Sequence, residues 1–165
     1  MYRLLLLCLL ASPALAQTAP AVPVAAPASS LHAYALRLRP GADLRQEILA
    51  FVAAQHLEAG AVLTCVGSLT DVSLRLANQE NATHYRGHFE IVSLVGTVSA
   101  SGGAHLHLSV ADSTGRTLGG HLLDGCRVYT TAEIVLGALP GLVFTRETDP
   151  TFGYKELVIK AAAKP

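Results

Sequence analysis

The sequence predicts an α+β fold, in which a mainly antiparallel β-sheet accompanies one principal N-terminal helix. Short segments rich in apolar and β-branched residues recur along the chain, and clusters of Gly, Pro, Asn, Asp and Ser separate them, as is usual between strands. A single segment has the apolar spacing of a helix. Because helices and strands do not alternate as they do in parallel βαβ folds, we expect one domain with eight or nine strands.

The first thirty residues are expected to precede the folded domain. Residues 1–16 combine one arginine, an apolar run and a small-residue end at Ala16, which is the layout of a secretory signal peptide. Residues 17–30 consist mainly of Ala, Pro and Ser without charge, which indicates a flexible linker. The sequence thus predicts an exported protein, periplasmic or extracellular, with its domain in residues 31–160 and a short tail in residues 161–165.

Two other interpretations of the N-terminus are less favoured. A membrane span would need about 20 apolar residues, and the apolar run here is far shorter. A lipid anchor on Cys8 would need a small residue before it, whereas Leu7 stands there. We therefore expect no membrane span after signal cleavage.

The domain begins with a strand and the principal helix. Residues 31–41 alternate apolar and polar side chains and end in Pro-Gly, which predicts a strand and a turn. Residues 42–60 predict the helix, with Asp43 as its N-cap and Gly60 as its stop. The apolar face of this helix comprises Leu44, Ile48, Phe51 and Val52.

The remainder of the domain is predicted to consist of strands and turns. Two short strands are expected to meet at a bend near Leu69 and Thr70, and the polar residues 78–87 indicate a loop. The expected strands after the helix occupy residues 61–69, 71–78, 88–100, 104–112, 116–123, 126–139, 140–150 and 154–160.

Two cysteines, Cys65 and Cys126, would remain after removal of the signal peptide. An oxidising compartment would allow a disulfide between them. Each also lies in an apolar, strand-like segment, where a buried free cysteine is common. The sequence leaves both alternatives open, and it contains no Cys-x-x-Cys pair that would indicate a zinc ribbon or a thioredoxin-like site.

The most informative segment contains three of the seven histidines. Because side chains alternate along a strand, His105 and His107 point to the same face. Residues 113–115, Ser-Thr-Gly, are typical of a three-residue hairpin loop. If the residues flanking this loop pair, His107 lies opposite His121, and His105 lies diagonal to it, with Gly119 and Gly120 leaving room beside them.

Three neutral imidazoles with an open fourth position suit a divalent metal, with zinc the first candidate. The arrangement depends on strand register, since a slip of one residue would turn His121 to the opposite face. The alternative is a set of polar, partly exposed histidines that bind nothing.

A catalytic metal site would also need a general base. Glu133 and Glu90 are weak candidates, either as bases or as partners that orient a histidine, because both lie in apolar segments. The alternative for each is a salt bridge to one of the arginines Arg75, Arg86 and Arg127. Asp124 and His88 are weaker additions to the candidate site.

Four segments together closely resemble the PPC domain, the plants-and-prokaryotes conserved domain. They are "GSLTDVSLR" (67–75), "GHFEIVSLVGT" (87–97), "HLHLSVADSTGRTLGGHLL" (105–123) and "GCRVYTTAEIVL" (125–136). The resemblance implies a compact antiparallel α+β domain that assembles as a homotrimer. Some stand-alone prokaryotic members carry histidines at the positions of His105, His107 and His121 and look like metal binders there.

The chain departs from the plant members, in which the domain follows DNA-binding AT-hooks. It has no Arg-Gly-Arg-Pro hook, and His88 stands where plant members often carry arginine. Twelve basic residues balance twelve acidic ones, so the chain has no general attraction for nucleic acid or for an anionic membrane surface. Export would also remove it from the chromosome. Nucleic-acid binding is therefore the least favoured function.

Three functional hypotheses follow from the sequence. The first is an exported homotrimeric PPC-like domain that binds a divalent metal through three histidines and has an unknown physiological ligand. The second is a metal-dependent hydrolase or lyase that acts on a small molecule. The third is a DNA-binding or protein-interaction module. Homotrimer formation has some support in residues 128–136 and 137–145, which are more apolar than one sheet face requires.

Overall fold

The computed structural model describes residues 26–151 and 153–163, and it confirms the predicted α+β class. The predicted signal peptide and most of the linker lie outside the described residues. The described part of the chain contains one helix, α1 (Leu44–Ala54), and eight strands. The strands are β1 (His32–Leu38), β2 (Gly60–Arg75), β3 (Ala82–Ser99), β4 (Gly103–Ala111), β5 (Thr117–Leu122), β6 (Arg127–Ala138), β7 (Leu142–Thr148) and β8 (Lys155–Ala161).

The helix begins as predicted and ends earlier than predicted. The carboxylate of Asp43 accepts hydrogen bonds from the backbone N–H groups of Arg45 and Gln46, at 3.2 and 3.1 Å, and so caps the first turn. Helix α1 ends at Ala54 and not near Gly60, because His56 adopts a left-handed φ of 52°. The buried face of the helix comprises Leu44, Ile48 and Val52.

Two predictions about β2 and β3 were wrong. Residues 60–75 form one strand, because a register shift between Leu69 and Asp71 absorbs the expected bend as a β-bulge. Most of the expected loop 78–87 belongs to β3, in which Tyr85 pairs with Val72. Tertiary pairing with the apolar end of β2 thus overrides the polar composition of this segment.

All the strand pairs in the described chain are antiparallel. The main sheet has the order β1-β6-β2-β3-β4-β5, and β7 and β8 form a separate hairpin. Strand β5 also pairs with the end of β2, through Leu74 with Leu122 and Arg75 with His121. This additional pairing closes β2, β3, β4 and β5 into a small barrel.

The core fills the barrel and the space beneath the helix. Its largest fully buried side chains include Leu69, Leu74, Leu94, Leu106, Leu108, Leu122, Ile134 and Leu136. A smaller cluster of Ala59, Leu142 and Phe144 lies beside the β7–β8 hairpin. Most apolar residues of segments 128–136 and 137–145 are therefore buried in this chain's own core. Among the large apolar side chains of these segments, that of Tyr129 is exposed.

The two cysteines are buried and free. Cys65 lies on β2 opposite Ile134, and Cys126 precedes β6, where its sulfur accepts a hydrogen bond from the Ser73 backbone N–H at 3.2 Å. Burial raises the pKa of the Cys65 thiol to about 12 and that of Cys126 to about 11. Of the two alternatives left open by the sequence, the structure thus contains the free thiols and not the disulfide.

Candidate metal centre

The β4–β5 hairpin has the register predicted from its turn. Asp112 accepts hydrogen bonds on Oδ1 from the backbone N–H groups of Thr114 and Arg116, at 2.9 and 3.1 Å, and Gly115 takes a left-handed φ of 80°. The ladder that leaves this turn places His107 directly opposite His121. Local turn chemistry therefore fixes which histidine faces which.

The structure brings the three predicted histidines together on the outer surface of the barrel. On β4, His105 pairs with Thr97 of β3, and His107 pairs with Val95. The ring centroids of His105 and His107 lie 5.0 and 5.5 Å from that of His121. The Nε2 atoms of His105 and His107 are 3.1 Å apart. One ligand nitrogen from each of the three rings lies within 4.8 Å of the others.

This geometry fits a tetrahedral metal ion. With Zn–N bonds of 2.0–2.1 Å, two nitrogens on one zinc lie about 3.3 Å apart. The separation of the His105 and His107 nitrogens is close to this value, and a nitrogen of His121 lies within 4.8 Å of both. Imidazole nitrogens also suit cobalt, nickel and copper, so the ligand set could hold any of several divalent transition metals.

The local electrostatics favour neutral imidazoles, the form that binds metals. Desolvation by burial, followed by the nearby Arg75 guanidinium, lowers the pKa of His121 to about 4. Desolvation also lowers the pKa of His105, with a further contribution from Arg146. Little proton competition is therefore expected at neutral pH.

Two glycines allow the backbones around the histidines to approach closely. Gly96 on β3 has a φ of 137°, and a side chain there would collide with the carbonyl of His105. A Cβ at Gly120 would lie 2.8 Å from the carbonyl oxygen of Arg75, at the contact between β5 and β2. Gly120 thus permits the strand contact that brings Arg75 and His121 together.

Two clefts flank the histidine cluster. The first has a volume of about 410 Å³ and is lined by Arg75, Leu76, Ala77, Asn78, Gly119, Gly120 and the three histidines. The second, of about 300 Å³, is lined by His105, His107, Val95, Gly96, Thr97, Arg146, Glu156 and Leu157. Among the described residues, no Asp or Glu lines the first cleft.

The structure does not bring the two candidate glutamates to the histidines. Glu90 pairs with Ala111, which lies four residues from His107 along β4, or about 13 Å at the usual strand rise. Glu133 is on β6, opposite Arg37. Both side chains are exposed, and neither lines a cleft beside the cluster.

The arginines expected as alternative partners of these glutamates do not bind them. Arg86 binds Asp71 at 3.0 Å, and Arg127 approaches the Asp43 carboxylate at 3.9 Å. The weaker candidates also lie elsewhere. Asp124 pairs with Arg45 at 2.6 Å, and the His88 ring stacks on Tyr129 with ring centroids 4.4 Å apart.

Arg75 and Arg146 are the site residues that sequence reasoning missed. The sequence predicted for Arg75 only a possible salt bridge to a glutamate, and it predicted no role for Arg146. The first reaches the site through the pairing of β5 with β2, and the second through the β7–β8 hairpin. Both contacts join segments distant in sequence, so no local pattern reveals them.

The fold and its sequence motifs define a class of small domain shared by plants and prokaryotes. The family model of the Plants and Prokaryotes Conserved domain, abbreviated PCC or PPC, matches residues 25–140. The chain belongs to this family, as its four sequence segments indicated.

Three relatives illustrate the similarity. The bifunctional protein GlmU of Synechococcus sp. (strain JA-3-3Ab) is 49% identical over 138 residues, which cover 84% of this chain and 22% of that protein. The chain thus spans less than a quarter of the length of this curated relative. A hypothetical protein from Salmonella cholerae-suis, whose three-dimensional structure is solved, is 47% identical with a TM-score of 0.81, and the match covers 82% of this chain and 98% of that one.

The third relative shares the fold at lower identity. It is a metal-containing protein from Archaeoglobus fulgidus, 24% identical with a TM-score of 0.71, and the match covers 83% of this chain and 99% of that one. This likeness establishes a common fold with a protein that contains metal.

Proposed function

We propose that this chain is an exported, homotrimeric PPC domain that holds a divalent metal, zinc in the first instance, through His105, His107 and His121. The observation that carries the proposal is the convergence of three imidazole nitrogens within 4.8 Å of one another on the hairpin surface. Three protein nitrogens would leave one coordination position open. When bound, the metal would supply a Lewis acid at the edge of the first cleft.

The chemistry of the donor set supports metal in preference to three unliganded histidines. Unliganded imidazoles gain little from crowding, because His107 disfavours a charge on His105 and both disfavour a charge on His121. A bound metal would coordinate the three nitrogens, and coordination requires that these nitrogens be neutral and close together. A metal in the archaeal protein of the same fold agrees with this proposal.

Self-association is supported by an exposed apolar patch on β2 and β3, different from the segments that the sequence indicated. Val62 pairs with Gly96 and Ser68 with Glu90, and the stretches between these pairs carry exposed apolar side chains. This apolar patch comprises Leu63, Val66, Val92 and Val95, with exposed fractions of 48, 55, 56 and 53%. A homotrimer would bury it against its symmetry partners.

Export is supported by the signal-peptide pattern of residues 1–16. Within the described residues, no helix has the length and apolarity needed to cross a bilayer. Nucleic-acid binding is disfavoured by the balanced charge, since phosphate recognition requires an excess of basic residues. The hydrolase or lyase alternative has no carboxylate base among the residues of the first cleft.

Metal analysis of purified variants tests the metal site. The wild type is expected to retain about one divalent ion per chain after gel filtration, because three imidazoles and a solvent ligand complete a tetrahedral site. His107→Ala removes one of the three ligands and should abolish retention, as measured by elemental analysis. His84→Ala, at an exposed position on β3, is the matched control and should retain metal. Retention by His107→Ala would contradict the proposal.

A further inference from the structure

We propose that Arg75 makes the first cleft a binding site for an oxyanion, the carboxylate or phosphate group of a small organic molecule, beside the three histidines. The inference rests on the proposed metal site and extends it by naming the chemical class of its ligand. It depends on the position of Arg75, the freedom of its guanidinium and the charge of the cleft.

The position of Arg75 follows from the pairing of β2 with β5. Arg75 lies directly opposite His121 in this pairing. Directly opposed residues have Cβ atoms about 5 Å apart and point to the same face. Both side chains also line the first cleft, as does Asn78, whose amide adds a hydrogen-bonding group.

The guanidinium of Arg75 is free to bind a ligand. The side chain is exposed, and no hydrogen bond or salt bridge joins it to another group among the described residues. Three other arginines, by contrast, have partners. Arg45 binds Asp124, Arg116 binds Asp112, and Arg146 donates to the backbone carbonyl of Lys155 at 2.6 Å.

The positive charge of the first cleft favours the binding of an anion. Among the residues that the structure describes, the lining contains one cationic side chain, three imidazoles and no carboxylate. A divalent metal on neutral imidazoles would raise the local charge to about +3, and such uncompensated charge attracts counter-ions. Glu156 lines the second cleft, together with Arg146, and does not line the first.

The geometry favours an anion with several oxygens over a monatomic one. A guanidinium presents parallel N–H donors that match the oxygens of a carboxylate or a phosphate. With metal bound, such a group would have oxygens for both the metal and the Arg75 guanidinium, whereas chloride has a single atom. The cleft volume of about 410 Å³ falls within the range of small-molecule sites, so the oxyanion can belong to a larger organic molecule.

The test uses cobalt-loaded protein and two probe anions. Co²⁺ occupies imidazole sites suited to zinc, and its visible absorption reports changes at the metal. Acetate and inorganic phosphate are titrated separately at constant ionic strength, with chloride as the comparison anion. The wild type should respond to acetate, phosphate or both at lower concentrations than to chloride. The tighter of the two probes identifies the head group of the ligand.

Arg75→Gln is the decisive variant, and Arg116→Gln, at the exposed hairpin turn, is its matched control. Arg75→Gln should bind cobalt normally but bind the preferred probe roughly 10-fold or more weakly, because charge-assisted hydrogen bonds are lost. Arg116→Gln should behave as the wild type. Equal probe affinity in Arg75→Gln and wild type, or no spectral response of the loaded wild type, would overturn this inference alone. Failure of the wild type to bind cobalt would overturn the proposed metal site as well.

Discussion

At the scale of single residues, His121 shows how environment determines chemistry. On one side it faces His107 across the hairpin, and on the other it faces Arg75 across the contact with β2. Burial and the neighbouring positive charge both oppose protonation of its ring. The same residue therefore completes the candidate ligand set and connects it to the arginine that we assign to anion binding.

The lowered pKa of His121 predicts a pH dependence of stability in the metal-free protein. Its pKa is about 4 in the folded chain, against an ordinary value of 6.5. Between these values the unfolded chain binds a proton that the folded chain excludes, so the free energy of unfolding should decrease as the pH falls from about 6.5 to about 4. Above pH 6.5 this contribution to stability is fully present.

Urea denaturation in the presence of a chelator, at pH 7 and pH 5, measures this effect. In His121→Asn, the free energy of unfolding should differ less between pH 7 and pH 5 than it does in the wild type. The lowered pKa of His105 should account for the remaining difference. His84→Asn, at an exposed position, provides the control. An unchanged pH difference in His121→Asn would contradict the proposed burial of this ring.

At the scale of secondary-structure elements, the β4–β5 hairpin is the unit that builds the site. Its turn sets the pairing of His107 with His121. Its second strand then reaches β2 and places His121 opposite Arg75. The β4–β5 hairpin thus brings the histidines together by its own pairing, and it brings Arg75 to them by its pairing with β2.

Gly120→Ala tests the distant contact. The added methyl would lie 2.8 Å from the Arg75 carbonyl oxygen, so β5 and β2 must separate. We expect a loss of roughly 1–3 kcal/mol in the free energy of unfolding, as is usual for overpacking, together with weaker metal binding. Urea denaturation and metal titration measure the two effects. Ser109→Ala, on the same hairpin, should change both far less, and a similar loss in both variants would contradict the expected steric cause.

At the scale of the whole molecule, the closed barrel buries most of the apolar side chains that the structure describes, while those of the apolar patch on β2 and β3 stay exposed. The patch includes Val95, which lies directly opposite His107. If the patch forms the subunit contact, the metal site lies beside that contact. Assembly and metal binding would then depend on the same pair of strands.

Light scattering coupled to gel filtration tests the proposed trimer. The wild type should have the mass of three chains, and the double variant Val66→Lys/Val92→Lys should be monomeric, because six ammonium groups cannot be buried together without partners. Its circular dichroism should be unchanged, since both side chains are more than half exposed in the single chain. Ile159→Lys, an exposed apolar position on β8, should remain trimeric. A monomeric wild type would contradict the proposed assembly.

Parts of the fold that depend on neighbouring residues were predictable. The cap at Asp43 follows from its side chain and the apolar spacing after it, and the structure confirms it. The hairpin register follows from Asp112 and Gly115, which define the loop, and it is likewise confirmed. The position at which the helix ends was not predictable from the same signals, because the left-handed residue that follows the helix is His56 and not a glycine.

The sequence by itself determined the fold class, the family and the meeting of the histidines, because strand alternation and turn chemistry act over a few residues. Only the tertiary structure decided that β2 continues through Thr70, that residues 82–87 form a strand, and that Arg75 lies opposite His121. The first two features arise from the pairing of β2 with β3, and the third arises from the pairing of β2 with β5, which is distant in the chain. Burial of the leucine core on closing the barrel stabilises these pairings. The sequence pattern of a strand does not specify which other strand it pairs with.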